Sequence, residues 1–216
     1  FERLKADIER FGLFEPTLIY GYFPCRSEKE NLYIFDKSHG WLPGQKPAKT
    51  QTKEALHVLN FPRQNSKPHR CLSDFYHSEH DDIVAFTCVS AGAKFSEYEA
   101  KLYENGQYKE YYFMHGLGVE LAEALAEIVH KQIRLDLGIA HNEGKSLKDV
   151  QMARYHGCRY SFGYPACPEI ADTKVIFDLL KPERFGIELS ETFQIHPEQS
   201  TTAMVTYHPE AMYFAI

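Results

Sequence analysis

The amino-acid sequence predicts a mixed α/β domain of the α+β kind. Three observations carry this: the first half is written mostly in strand-like segments, a stripe of aliphatic residues at helical spacing follows, and strand signals return near the end. In residues 1 to 12, FERLKADIERFG, the spacing of Phe1, Leu4, Ile8 and Phe11 predicts an amphipathic helix closed by Gly12. TLIYGYFP and NLYIF read as the two strands of a hairpin joined by the polar RSEKE. After the turn-rich HGWLPGQKPAK comes HVLNFPRQ, a strand whose end is set by Pro62, which has no amide to donate to a ladder. Within DDIVAFTCVSAG, residues Ile83 to Val89 are almost all apolar or β-branched, the pattern of a strand buried on both faces.

From about Glu97 the period changes. LGVELAEALAEIVHKQIRLDLG sets Leu117, Leu121, Leu125, Ile128 and Leu135 on a helical stripe and ends at Gly138, a suitable C-cap. Residues 139 to 158 form a polar connection with a short helix near SLKDVQMARY. A second short helix, DTKVIFDLL, has Asp172 placed to cap it. Between the two lies RYSFGYPACPE, residues 159 to 169, which combines one arginine, three aromatics, a glycine and two prolines. Prolines remove donors and glycine permits close backbone approaches, so this is a rigid loop rather than a helix or central strand. ELSETFQ, TTAMVTYH and MYFAI then read as strands, with HPEA turning between the last two.

A length of 216 residues fits one domain with its own core. The composition, 44% hydrophobic and 25% charged, is that of a soluble globular protein, and no apolar run is long enough to span a bilayer. A net charge of -6 argues against a general grip on nucleic acid. Five scattered cysteines without a CxxC pair suit a reducing compartment, so a cytoplasmic location is expected. The chain opens at Phe1 without a leader and reads as a piece of a longer protein.

Several residue groups could carry chemistry. GLGVELA, residues 116 to 122, resembles half of a dinucleotide fingerprint, but Leu121 stands where a third small residue belongs and the helical pattern runs through the glycines. His156, Cys158 and Cys167 carry zinc-binding atoms at no standard zinc spacing, and packed loop cysteines are the plainer reading. No GxSxG elbow is present. Glu120, Glu123 and Glu127 share one helix face, as a solvated acidic stripe in which Glu127 can pair with Lys131. Arg159 taken alone reads as one half of a structural salt bridge.

YGYFP, FPRQ with the CLSDF after it, HGLGVELAEALAEIVH, RYSFGYPACPE, LSETFQIHPEQSTTAMV and the final YHPEAMYFAI together cover nearly the whole chain. In these segments the chain resembles the C-terminal activation, or reactivation, domain of cobalamin-dependent methionine synthase. The most specific of them is Arg-x-x-x-Gly-Tyr-Pro-Ala-Cys-Pro. The resemblance implies a compact C-shaped domain around a twisted antiparallel sheet with a long helix, and not a Rossmann fold. It implies an S-adenosylmethionine site that rescues cob(II)alamin by coupling one-electron reduction to methylation.

Carried across by the resemblance, Arg159 clamps the methionyl carboxylate, Ser161 lies where the loop backbone meets the adenosyl part, and Gly163 and Tyr164 complete the loop. Tyr213 contacts the ligand, and Glu123 lies near its polar methionyl or ribose end. Phe214 stands where some relatives have a second tyrosine, so ring packing replaces a hydroxyl contact. An aspartate that the family uses upstream has no counterpart here, which points to a truncated domain. Cobalamin is expected from an adjoining module, zinc only in another module of the full enzyme, and electrons from a flavodoxin-like or other donor. Neither nucleic acid nor membrane is an expected partner. A free-standing S-adenosylmethionine-binding regulatory module is the alternative.

Overall fold

The computed structural model describes residues 2–36, 54–144 and 146–216. Phe1 and the HGWLPGQKPAK turn lie outside the described residues. Helix α1 (Glu2–Phe11) leads into a long strand β1 (Thr17–Glu28), then β2 (Asn31–Ile34), β3 (His57–Asn60) and β4 (Asp82–Ser90). Helices α2 (Ala93–Glu104), α3 (Tyr108–Asp136) and the short α4 (Leu147–Gln151) follow, then β5 (Cys158–Tyr160), α5 (Thr173–Leu180), the small β6 (Glu188–Leu189) and β7 (Ile195–His196), and β8 (Ser200–Thr206). Among the described residues the main sheet has the order β3-β2-β1-β4-β8-β5, and β6 pairs with β7 in a separate ribbon. Every pairing is antiparallel. This agrees with the expected antiparallel sheet and long helix, and a Rossmann arrangement, which requires parallel strands, is excluded.

Strand β4 is buried at every position because it is central and covered on both faces. Its side chains alternate, as the pleat requires. Val84, Phe86 and Cys88 enter a core shared with Ile176, Phe177 and Leu180 of α5, while Ala85 and Val89 pack under Leu125, Ala126, Val129 and Ile133 of α3. The sheet is thus held between α3 on one face and α5 with its neighbouring loops on the other.

Several elements differ from their sequence expectation. RSEKE is not all connection: β1 continues to Glu28, with Arg26 opposite Tyr33, and only Lys29 and Glu30 turn. Helix α3 begins at Tyr108, earlier than its leucine pattern shows, and its inward face coincides with the leucine stripe only in part, at Leu125 and partly at Leu121. Ile128 and Leu135 are 59% and 54% exposed, whereas Met114, Gly118, Ala122, Leu125, Ala126, Val129 and Ile133 are buried. The buried line is displaced by about one residue, roughly 100° of helix rotation. Its sheet-facing part mixes large and small side chains, with Ala126 beside Leu125, Val129 and Ile133. Gly138 does follow the helix, with φ +71°. Asp172 sits at the start of α5 but makes no side-chain cap; Glu169 instead accepts from Ala171 N–H at 3.1 Å, in the 3-10 turn before the helix. MYFAI forms no strand. It is an irregular tail tied down by Tyr160 Oη donating to the Met212 carbonyl at 2.8 Å.

The glycines of GLGVELA lie inside α3 rather than at a helix start. A Cβ at Gly118 would come within 2.5 Å of Gln199 Cγ and 2.6 Å of Phe95 Cε1, so this glycine exists for a close helix approach and not for a phosphate. Gly118→Ala is therefore expected to destabilise the fold by about 1 to 3 kcal/mol, the usual cost of overpacking. Gly116→Ala, where a Cβ meets nothing within 4 Å, should be neutral or slightly stabilising. Thermal melts of the two variants check this.

Candidate functional site

Arg159 lies on the edge strand β5, where strand alternation fixes its direction. Tyr160 turns into the α5 core, while Arg159 pairs opposite Val205, a residue packed under α3. The guanidinium therefore faces α3, where Glu123 and Glu127 stand one helical turn apart. Arg159 Nη1 donates to Glu127 Oε2 at 2.9 Å and Nη2 to Glu123 Oε2 at 3.2 Å. The acidic stripe is thus partly a receptor for Arg159. Lys131, expected to pair with Glu127, pairs instead with Glu143.

Behind this pair is a second, buried layer. Tyr155 Oη donates at 3.0 Å to the same Glu127 oxygen, and Arg134 Nη2 reaches Glu127 Oε1 at 3.4 Å. The Arg134 guanidinium lies 3.8 Å from the centre of the Tyr155 ring and its Nε donates to Glu143. Burial and the Glu127 carboxylate push the Tyr155 hydroxyl up to about 12, so it remains a donor at neutral pH. His130 is buried with its ring edge-on to Tyr155. Burial, with Arg134 and Arg159 nearby, pushes its pKa down to about 2, so it stays neutral.

Two hollows meet at the Arg159–Glu123 pair. One, about 340 Å³, is lined by Glu123, Arg159, Ser161, Tyr164 and Tyr213, with a floor of Thr87, Ala126 and residues 201 to 203. The other, about 1030 Å³, opens between α3 and residues 140–144 and 147–155, and is also lined by Glu123, Glu127, Arg134, Tyr155 and Arg159. Five of the seven residues singled out from the sequence therefore share one wall system. Ser161 Oγ donates to the Thr202 carbonyl at 2.8 Å, which fixes the loop to β8. Tyr164 and Tyr213 are exposed.

The other two residues lie off the lining. Gly163 has φ +92°, which L side chains rarely adopt, and its N–H donates to the Cys167 carbonyl at 2.9 Å. It shapes the turn that raises Tyr164. Phe214 is 6% exposed and packs toward Phe75 with ring centroids 6.4 Å apart. It anchors the tail from which Tyr213 points outward.

His156, Cys158 and Cys167 form no metal-binding group among the described residues. Cys167 Sγ donates to the Ser161 carbonyl at 3.1 Å, and burial pushes its thiol up to about 12. Sequence reasoning missed Thr87, Ala126, Thr201, Thr202 and Ala203, because floor residues on sheet and helix carry no motif. It also missed Tyr155, whose position four residues before Arg159 signals nothing until the helix is seen opposite.

The family model described as vitamin B12 dependent methionine synthase, activation domain, matches residues 2–216. The chain is 34% identical to the methionine synthase of Mycobacterium tuberculosis (strain ATCC 25618 / H37Rv) and 35% identical to that of Mycobacterium leprae (strain TN). Each comparison covers 99% of this chain and 18% of the relative, so the chain spans under a fifth of their length. A crystal structure of the MetH reactivation domain bound to AdoHcy superposes with a TM-score of 0.85 at 23% identity, covering 99% of this chain and 65% of that one.

Proposed function

The chain belongs to the vitamin B12 dependent methionine synthase activation-domain family, and on that premise we propose that it binds S-adenosylmethionine where its two hollows meet, as the methyl donor that reactivates an oxidised cobalamin. The observation that supports this most is the convergence of Glu123, Arg159, Ser161, Tyr164 and Tyr213 on one cavity. S-adenosylmethionine carries a carboxylate, an ammonium, a sulfonium and an aromatic base. Those four groups call for different neighbours.

Arg159 is the carboxylate receptor, because a planar guanidinium retains donors beyond the two already given to Glu123 and Glu127. Glu123, the more exposed of the two acids, takes the ligand's ammonium or ribose hydroxyls. The Tyr164 and Tyr213 rings border the sulfonium, whose charge is attracted by aromatic faces. Burial and its neighbours Cys167 and Tyr164 raise the pKa of Tyr213, so its ring stays neutral at physiological pH. The cobalamin, carried by an adjoining module and reduced by a flavodoxin-like or other donor, would supply the nucleophile. This chain's own part is positioning: it holds the sulfonium methyl toward the incoming metal and leaves the S-adenosylhomocysteine product to dissociate. No general base is required of it.

The chain would thus act as one module of a longer methyltransferase. All five cysteines are unpaired, as a reducing cytoplasm would keep them. Among the described residues no helix is long and apolar enough to cross a membrane. Calorimetric titration of the chain is expected to give one S-adenosylmethionine site, competed by S-adenosylhomocysteine. A folded chain with no saturable heat at millimolar ligand would overturn the reading.

A further inference from the structure

Away from the Arg159 cavity, three side chains with metal-ligating atoms converge from separate elements. Glu99 on α2, His115 on α3 and Glu198 in the turn before β8 bring one ligand atom each to within 4.8 Å of one another. We propose that they form a binding site for a divalent transition-metal ion, zinc being the first choice, which ties α2, α3 and the start of β8 together.

The group differs from a solvated acidic cluster in its centre. Glu99 is 2% exposed, and a buried carboxylate is costly unless a cation meets it. Its protein partners are His115, whose Nδ1 lies 2.5 Å from Glu99 Oε1, and the neutral amide of Gln199. A divalent ion among the three would meet both carboxylates and the imidazole at once.

The support around Glu99 resembles a metal site's outer shell. Ser96 Oγ donates to Gln199 Oε1, and Gln199 Nε2 donates to Glu99 Oε2, so one carboxylate oxygen is oriented while the other faces His115. Such outer contacts orient metal ligands and tune affinity. Gln199 is itself fixed, because its carbonyl accepts from Ala91 N–H at 2.9 Å. That bond sets where the neighbouring Glu198 stands. The Tyr111 ring lies 5.8 Å from His115 and restricts the imidazole.

Imidazole nitrogen with two carboxylates suits zinc or a neighbouring first-row ion, whereas magnesium and calcium prefer oxygen alone. Zinc bonds of about 2.0 to 2.2 Å place tetrahedral ligand atoms roughly 3.4 Å apart, so the 2.5 Å His115–Glu99 hydrogen bond opens as the ion takes its place between them. The exposed Glu198 side chain, which has no hydrogen-bond or ion-pair partner among the described residues and whose ligand atom lies within 4.8 Å of the other two, is free to turn in as the third ligand. Water completes the fourth position.

The site is independent of the S-adenosylmethionine reading. Its members at 99, 115 and 198 have no motif spacing, and a metal here departs from the expectation of zinc only in another module. The test uses the chelator-treated chain titrated with zinc and cobalt(II), beside Glu198→Gln. We expect one zinc per chain, a rise in melting temperature on loading, and a cobalt spectrum without a thiolate charge-transfer band. Glu198→Gln should melt like the parent when metal-free but bind zinc at least tenfold more weakly, since even outer-shell losses cost about 10- to 100-fold. Equal zinc affinity in parent and variant, or no saturable binding to the folded parent, would reduce Glu99–His115 to a structural ion pair. A thiolate band would move the metal to a cysteine and equally overturn the proposal.

Discussion

Arg134→Ala is expected to destabilise the chain by about 3 to 5 kcal/mol, the cost of removing one partner from a buried ion pair. Arg134 is 1% exposed, and its guanidinium joins three groups: Glu143, Glu127 and the face of Tyr155. Truncation leaves the Glu143 carboxylate, whose side chain is only 7% exposed, with Lys131 alone, and it opens a void under the Tyr155 ring. Arg134→Met restores most of the volume but not the charge, so it should recover only the cavity part of the loss. Urea unfolding of both variants separates the two contributions.

The same change carries a pH signature. Burial raises the Glu143 pKa, but hydrogen bonds and charge from Arg134 and Lys131 outweigh it, and the net pKa lies below the ordinary glutamate value. A depressed carboxylate contributes stability that is fully present above its unfolded pKa of about 4.3 and is lost as pH falls through the lower folded value. The gap between parent and Arg134→Ala should therefore be wide at neutral pH and narrow in acid below that range. A gap constant down to the acid limit would show that Arg134 acts through volume and the Tyr155 stack, not through Glu143.

What the sequence made legible follows from which physical signals are local. The β4 run Ile83 to Val89 could be assigned because burial on both faces writes a continuous apolar string. The facing of α3 was legible only in part, because Leu125 of the stripe does face the sheet but small Gly118, Ala122 and Ala126 share the buried line, while the larger Ile128 and Leu135 point outward. The RYSFGYPACPE loop announced itself through proline and glycine, yet its first two residues are strand, a placement set by pairing with β8 some 45 residues later. Likewise Glu123 and Arg159 were brought together by resemblance alone. Their contact spans 36 positions of sequence, and nothing in either local pattern encodes it.

Arg159→Lys is expected to weaken S-adenosylmethionine binding about ten- to a hundredfold, equivalent to losing one charge-assisted hydrogen bond of roughly 1.5 to 3 kcal/mol. The guanidinium already spends one donor on Glu127 and one on Glu123, and being planar with five donors it still has hydrogens left to meet a carboxylate. A lysine ammonium presents its donors from a single point. It can approach either glutamate, but it cannot span both acids and a ligand at once. The apo chain should lose far less, on the order of 1 kcal/mol or below, because lysine keeps one partner and the Glu123 contact is solvent-exposed. Measuring affinity by calorimetry and apo melting on the same protein distinguishes two roles. A large affinity loss with a small melting shift places Arg159 on the ligand. An unchanged affinity with a lower melting point would make it only a brace between β5 and α3, and the carboxylate receptor would have to be sought elsewhere in the two hollows.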